Sequence, residues 1–234
     1  MLEKSQSPRL FSSIARRYDL LNHVLSANVD RRWRRALVDM AEVTEGAAVL
    51  DVATGTADVA IEFARRTHAG WIVALDRSTE MLAVGRAKAV GARLSRPGRI
   101  VFVEADALEM PFGSEEFDVV TIAFGLRNLP DYARGIGEMT RVLKRRGRLL
   151  VLEFFPPGGG WFQQAYLHYL RTVVPVTGRI VSGSHEAYRY LSHSIRTFIP
   201  REDIVGLMEA AGLEDIRARR LLGGVSDLYR GVKP

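Results

Sequence analysis

An α/β fold built on a doubly wound, mostly parallel sheet is predicted by three features of the 234-residue chain. From Ala47 onward, short apolar runs alternate with amphipathic stretches of helical period, the pattern of strand–helix–strand units. The first run leads through Asp51 into a small-residue turn and then a helix, in Val49–Asp58 or VLDVATGTAD. That is how a nucleotide-type cofactor site begins. The chain closes on two further runs joined through Gly223-Gly224, as an antiparallel hairpin requires.

Taken in order, residues 9–42 predict two helices. Phe11, Ile14, Ala15, Tyr18 and Leu21 recur at helical spacing, and Trp33, Leu37 and Met40 do so again after Asp30. Strands are predicted at 47–52, 70–76, 99–105, 117–124 and 147–154, each a short apolar run. Helices near 56–66, 78–93 and 131–144 connect them, which implies right-handed crossovers. Pro156–Gly160 (PPGGG) breaks the alternation, and residues 161–195 form an insertion rich in aromatics. A helix over about 200–211, stopped by Gly212, precedes strands near 214–221 and 225–232. No internal repeat or long linker divides the chain. A single domain over 1–234 is expected, with a helical cover at 1–45, a cofactor-binding core at 46–155, a lid at 156–199 and a last helix and hairpin at 200–234.

Composition narrows the function classes. With 47% apolar and 26% charged residues, the balance is that of an ordinary soluble domain. The longest apolar runs, such as Leu149–Leu152, are too short to cross a bilayer. The polar opening MLEKSQSPRLFSS lacks the apolar core of a signal peptide. Without cysteine there is no disulfide, thiolate nucleophile or zinc–thiolate site, and no metal site is expected. A cytoplasmic protein is the default. The net charge of +6 rests on arginine, which supplies all but four of the 33 basic residues. A basic surface attracts phosphates and anionic lipid. No aromatic recognition motif or basic stripe accompanies it, so a peripheral membrane contact is expected ahead of nucleic acid.

The turn after the first strand specifies the cofactor. A dinucleotide site wants G-x-G-x-x-G so that pyrophosphate can approach the backbone. Here small residues alternate instead, at Ala53, Gly55 and Ala57, and nothing suggests a phosphate cradle. S-adenosylmethionine, which has no phosphate, fits better. Asp51 and turn carbonyls suit its ammonium, while Thr56 and the helix N-terminus suit its carboxylate. Asp76, ending the second strand, is placed for both ribose hydroxyls, and Asp106-Ala107 after the third strand for the adenine. Plainer readings make Asp76 a helix cap and Asp106 a turn former. Their order at three successive strand ends favours a methyltransferase. Ala57, which carries a Cβ, is expected at ordinary backbone angles.

Dispersed motifs then carry a family resemblance. YDLLNHVLSANVDRRW holds Tyr18, Asp19, Asn22, Ser26 and Trp33; FGLRN spans Phe124–Asn128; RVLK and GRLLVLEF lie within Arg141–Phe154. YRYLSHSI at Tyr188–Ile195 and the ending LYRGVK complete the set. From about Phe11 to Lys233 the chain resembles the ubiquinone/menaquinone biosynthesis C-methyltransferases, a class I S-adenosylmethionine-dependent family with a seven-stranded sheet. It departs from the family pattern at Leu21, Asp30, Ala57, Ala123, Arg145-Arg146 and Phe155. The resemblance carries Thr56, Asp76, Asp106 and Ala107 over as cofactor contacts; Asp51 and Gly55 join them on the physical argument.

The resemblance implies C-methylation of a polyprenyl quinol ortho to a hydroxyl, with demethylmenaquinol ahead of the corresponding benzoquinol. A related methyltransferase for another small acceptor is disfavoured by FGLRN and the matched C-terminal end, and a non-catalytic cofactor-binding scaffold by retention of Arg127, Asn128 and the lid motifs. Losing the phenolic proton makes the ring carbon nucleophilic, so the phenolate needs a stabiliser. Arg127 is expected in that role, directly or through a water, with Asn128 orienting a ring oxygen. Arginine stays protonated and is a poor base. The alternative pairs Arg127 with Asp131 or Asp19 to pin the lid. Tyr18 is a third candidate, although its helical spacing also suits packing. His185, in a polar turn, is not assigned. The 161–195 segment reads as a channel for the prenyl tail with arginines facing anionic headgroups, or else as a dimer interface or ordinary helical packing.

Overall fold

Five short apolar runs, most of them buried on both faces, build the parallel part of a seven-stranded sheet. The computed structural model describes residues 26, 29–92, 94, 99–161, 163–169, 172 and 193–234. The first predicted helix with Tyr18, and the lid residues His185, Tyr188 and Arg189, lie outside the described residues. The described chain runs α1 (Asp30–Ala41), β1 (Ala48–Val52), α2 (Asp58–Arg66), β2 (Trp71–Asp76), α3 (Thr79–Gly91), β3 (Ile100–Glu104) and β4 (Phe117–Ala123). It continues through α4 (Tyr132–Val142), β5 (Leu143–Phe154), α5 (Arg201–Ala210), β6 (Glu214–Leu221) and β7 (Ser226–Val232). Short 3-10 turns occupy Leu126–Asn128 and Leu222–Gly224, and residues 163–169 are also helical.

The strand order is β3-β2-β1-β4-β5-β7-β6. The first five strands are parallel, and β7 runs antiparallel to both β5 and β6. This is the predicted doubly wound sheet with its closing hairpin. Both faces of the central strands are covered, which explains their near-continuous apolar sequence. Leu50, Val52, Val120, Ile122 and Val151 pack toward Ile136, Met139, Ile204 and Met208 of α4 and α5. Val49, Ile72, Val119, Leu150 and Leu152 pack toward Trp33, Leu37, Ala60 and Phe63 of α1 and α2. Each such side chain, fully buried, stabilises the fold by about 1.5–3 kcal/mol.

Boundaries differ from the expected ones for local reasons. Ser78 and Asp131 stand outside α3 and α4 as N-caps, their side chains accepting from Met81 N at 3.2 Å and Arg134 N at 2.9 Å. The predicted residue 147 start of the fifth strand becomes Leu143, directly out of α4. Leu143 pairs with Phe117 and Arg148 with Val119, so the polar stretch Lys144–Gly147 sits in a register shift that hides the strand's beginning.

The order reverses at β1 and β4, which places a crevice beyond their C-terminal ends. Asp51, Asp76, Phe124 and Glu153 lie at or beside the C-terminal ends of β1, β2, β4 and β5.

Candidate active site

The turn after β1 explains its own composition. Ala53 (φ 51°), Gly55 (φ 55°) and Ala57 (φ 63°) all adopt the left-handed region, so small residues recur at every second position. Ala57 therefore departs from the ordinary angles expected of it. Such a conformation costs an L-residue about 1–2 kcal/mol. The turn is held by Thr54 N donating to Leu75 O and Ala57 N donating to Thr54 O, both at 2.9 Å. The buried Ala57 methyl packs beside Gly85 of α3, where an added Cβ would lie only 3.0 Å away. Because that turn uses up two residues, α2 starts at Asp58 and not at the predicted residue 56.

Phe124, the first residue after β4, is also left-handed (φ 56°). Its amide donates to Leu152 O at 2.7 Å and its ring stacks 4.3 Å from that of Phe154. Gly125 follows because a Cβ there would come within 2.7 Å of the Ala53 Cβ. The turns after β1 and β4 thus touch across the switch point. Strain of this kind, held in place by surrounding bonds, gathers at functional sites.

Two carboxylates face this crevice. Asp51 is 1% exposed and accepts from the hydroxyls of Thr54 (2.5 Å) and Thr121 (2.9 Å). Burial pushes its pKa from 3.8 to about 6, against the opposing effect of those hydrogen bonds. Asp76 accepts from the amides of Gly55 (2.8 Å) and Ser78 (2.9 Å), and burial raises its pKa too. Capping of α3 falls to Ser78, and Asp76 ties the first turn to the second strand. Desolvated carboxylates side by side suit a cationic ligand and repel a phosphate. An ammonium- or sulfonium-bearing group would fit such a pair.

Asp51, Gly55, Thr56 and Asp76 are therefore brought together. Thr56 is buried and accepts from Lys88 Nζ at 3.1 Å. Lys88 also pairs with Asp58, which Arg34 meets at 3.0 Å while holding Asp30 at 2.7 Å. That polar chain from α1 to the cofactor turn was not foreseen, since a single lysine on a helix gives no local signal. Asp106 Oδ1 accepts from Leu108 N at 2.9 Å as a turn former does, and its other oxygen meets Arg77 at 3.4 Å, next to Asp76 in sequence. Ala107 is buried against the core.

Arg127 and Asn128 sit in the 3-10 turn beyond β4. Arg127 is 2% exposed and pairs with Glu153, not Asp131, through Nη1–Oε1 at 2.8 Å. Its guanidinium also donates to the Phe124 carbonyl and lies 5.8 Å from the Phe154 ring centroid. Asp131 is occupied as the cap of α4, and Asp19 lies outside the described residues. The Asn128 amide group reaches Phe124 O at 3.5 Å. Trp33 closes the aromatic cluster, 6.2 Å from Phe124 and 5.8 Å from Phe154, and Tyr166 packs onto it. Burial raises the pKa of the Tyr166 hydroxyl. Glu153 was the missed residue. Its signal was a lone charge ending the apolar run Leu149–Leu152.

Known proteins match this chain throughout. The model of the ubiE/COQ5 methyltransferase family matches residues 2–233. The demethylmenaquinone methyltransferase of Thermus thermophilus is 44% identical over 225 residues, covering 96% of this chain and 100% of that protein. The ubiquinone/menaquinone biosynthesis C-methyltransferase UbiE of Geobacter sulfurreducens is 44% identical over 235 residues, covering 100% of this chain and 91% of that protein. Among solved structures, phosphoethanolamine N-methyltransferase 2 of Haemonchus contortus, bound to S-adenosylhomocysteine, superposes with a TM-score of 0.65. It is 16% identical and covers 87% of this chain and 52% of that one, so this likeness concerns the fold alone.

Proposed function

Because the chain belongs to the ubiE/COQ5 methyltransferase family and is a methyltransferase, we propose that it methylates a ring carbon of a polyprenyl quinol using S-adenosylmethionine. The paired carboxylates Asp51 and Asp76 at adjacent strand ends carry the cofactor reading. When bound, S-adenosylmethionine supplies an electrophilic sulfonium methyl.

Asp51 and the turn carbonyls would hold the cofactor's ammonium, Gly55 and Thr56 its carboxylate, Asp76 the ribose hydroxyls, and Asp106 with Ala107 the adenine. Arg127 stabilises the phenolate left when the quinol hydroxyl gives its proton to solvent, directly or through a water, and Asn128 orients a ring oxygen. Tyr18 belongs to the helical cover over this ring. The bound cofactor would supply its methyl to the ortho carbon and leave as a neutral thioether, the ring carbon then losing its proton. Positive charge vanishes in the transfer, so the dry aromatic walls of Phe124, Phe154 and Trp33 favour the transition state over the charged ground state. Positioning supplies up to about 7–11 kcal/mol in favourable systems.

The naphthoquinol, demethylmenaquinol, is the acceptor this reading favours. Its support is the Thermus relative, matched over its whole length; the benzoquinol stands second because of the double name of the Geobacter relative. No described helix is long and apolar enough to cross a membrane. Peripheral contact with the inner face of the cell membrane is supported by Trp161 at 80% exposure and by Leu222 at 55%, which follows the exposed arginines of β6 in the chain. A homodimer using the same apolar residues is the alternative. The purified protein, given labelled S-adenosylmethionine and both reduced demethylated quinones, should label the naphthoquinol faster. Labelling of neither would remove the quinol assignment.

A further inference from the structure

Glu153 ends the buried part of β5 where the quinol reading puts the reacting ring. It is fully buried, and its carboxylate receives three donors. Oε1 accepts from Arg127 Nη1 at 2.8 Å and from the Phe154 amide at 2.9 Å. Oε2 accepts from the Arg127 amide at 3.2 Å. One acid therefore fixes both the side chain and the main chain of the turn that presents Arg127 and Asn128. Neutralising a core arginine would need only the first of these contacts.

A second acid on the same face shows the contrast. Asp227 is the register partner of Glu153 across β5 and β7, so both side chains project to one side of the sheet. Asp227 holds Arg201 Nε at 2.6 Å and accepts from the Tyr229 hydroxyl at 3.4 Å. Arg201 in turn donates to Pro156 O at 2.9 Å and to Gly224 O, binding the exit of β5 to the β6–β7 turn. That pair ties segments of the fold together. The Glu153 pair instead holds a charge in the turn beyond β4, at the C-terminal edge of the sheet.

We infer that Glu153 is a positioning residue for the methyl-accepting step, acting through Arg127 by setting where the guanidinium charge lies relative to the quinol oxygen. The inference rests on the reading of Arg127 as the phenolate stabiliser. Replacing the partners that orient metal ligands from behind typically costs about 10–100-fold in activity, and the same logic applies to an oriented guanidinium.

Two substitutions move this charge in opposite senses. Glu153→Asp keeps the ion pair but draws the guanidinium back by roughly one carbon–carbon bond, ~1.5 Å. The expected result is a fall in kcat of about 10–100-fold, an unchanged Kd for S-adenosylmethionine, and an acidic limb of the kcat–pH profile moved to higher pH. Glu153→Gln keeps the length and leaves the arginine charge unbalanced, so its limb moves to lower pH. Asp227→Asn, assayed below its lowered melting temperature, keeps the parental kcat and limb. Parental kcat and limb in both Glu153 variants, with Arg127→Gln inactive, overturn the role of Glu153 and spare that of Arg127. Parental kcat in Arg127→Gln overturns both. Equal losses and equal limb shifts in Asp227→Asn and Glu153→Asp also overturn the inference, because a general loosening would then explain them.

Discussion

Replacing Asp51 with asparagine should make the cofactor-free protein more stable and weaken its hold on the methyl donor. The Asp51 carboxyl is 1% exposed, and burial raises its pKa from 3.8 to about 6. A carboxyl with a higher pKa in the folded chain than in the unfolded one costs stability above its folded pKa. That cost disappears as the pH falls toward the unfolded value. The difference between the two values corresponds to about 3 kcal/mol at neutral pH. That difference is already net of the hydrogen bonds from Thr54 and Thr121, which favour the charged form, and asparagine, like the protonated acid, carries no buried charge. The gain is then up to about 3 kcal/mol, or roughly 6–12 °C in melting temperature for a chain of this size. Thermal denaturation at pH 8 and pH 4, with and without S-adenosylmethionine, measures both sides. The variant should melt higher at pH 8 without ligand, lose most of that advantage near pH 4, close to the unfolded value, and gain less from the ligand. A lower ligand-free melting temperature at pH 8, or an undiminished ligand-induced rise, would refute the reasoning.

Other substitutions read separate parts of the site. Gly125→Ala forces a Cβ to 2.7 Å from Ala53 and 3.1 Å from Ile122, which should cost about 1–3 kcal/mol in urea denaturation and weaken cofactor binding by calorimetry. Ala57→Gly relieves left-handed strain but loses a buried methyl and loosens the unfolded chain, so stability should stay within about 1 kcal/mol of the parent. Removing Glu153 alone as Glu153→Leu leaves a buried guanidinium uncompensated and should cost about 3–5 kcal/mol, whereas Arg127→Met with Glu153→Leu should restore most of that stability. The double variant should nonetheless transfer no methyl groups, as scintillation counting of labelled product would report.

The centre of the sheet was legible because β1, β2, β4 and the end of β5 are buried on both faces and so read as apolar runs. The acids were legible because they end those runs. What the sequence concealed was set by distant partners or by backbone angles. Ser78 and Asp131 look like helix residues until their side chains are seen capping. Lys144–Gly147 masks the start of β5 because a bulge interrupts the apolar pattern. The alternation of Ala53, Gly55 and Ala57 was visible, but its cause, three left-handed residues, was not. Ala57 is expected at ordinary angles because a methyl disfavours the conformation that the turn's hydrogen bonds and the packing against α3 here impose. Arg127 was visible as a candidate, while its partner lies 26 residues away on the neighbouring strand, a choice made by β4–β5 pairing and not by local sequence.

Locating the transferred methyl tests the central claim most directly. Reduced demethylmenaquinol is incubated with the protein and S-adenosylmethionine carrying a carbon-13 methyl, and the product is examined by NMR. The label should appear on the ring carbon ortho to a hydroxyl, and the yield should collapse for Asp76→Ala. Label on a quinol oxygen, or no labelled quinone at saturating cofactor, would contradict the account.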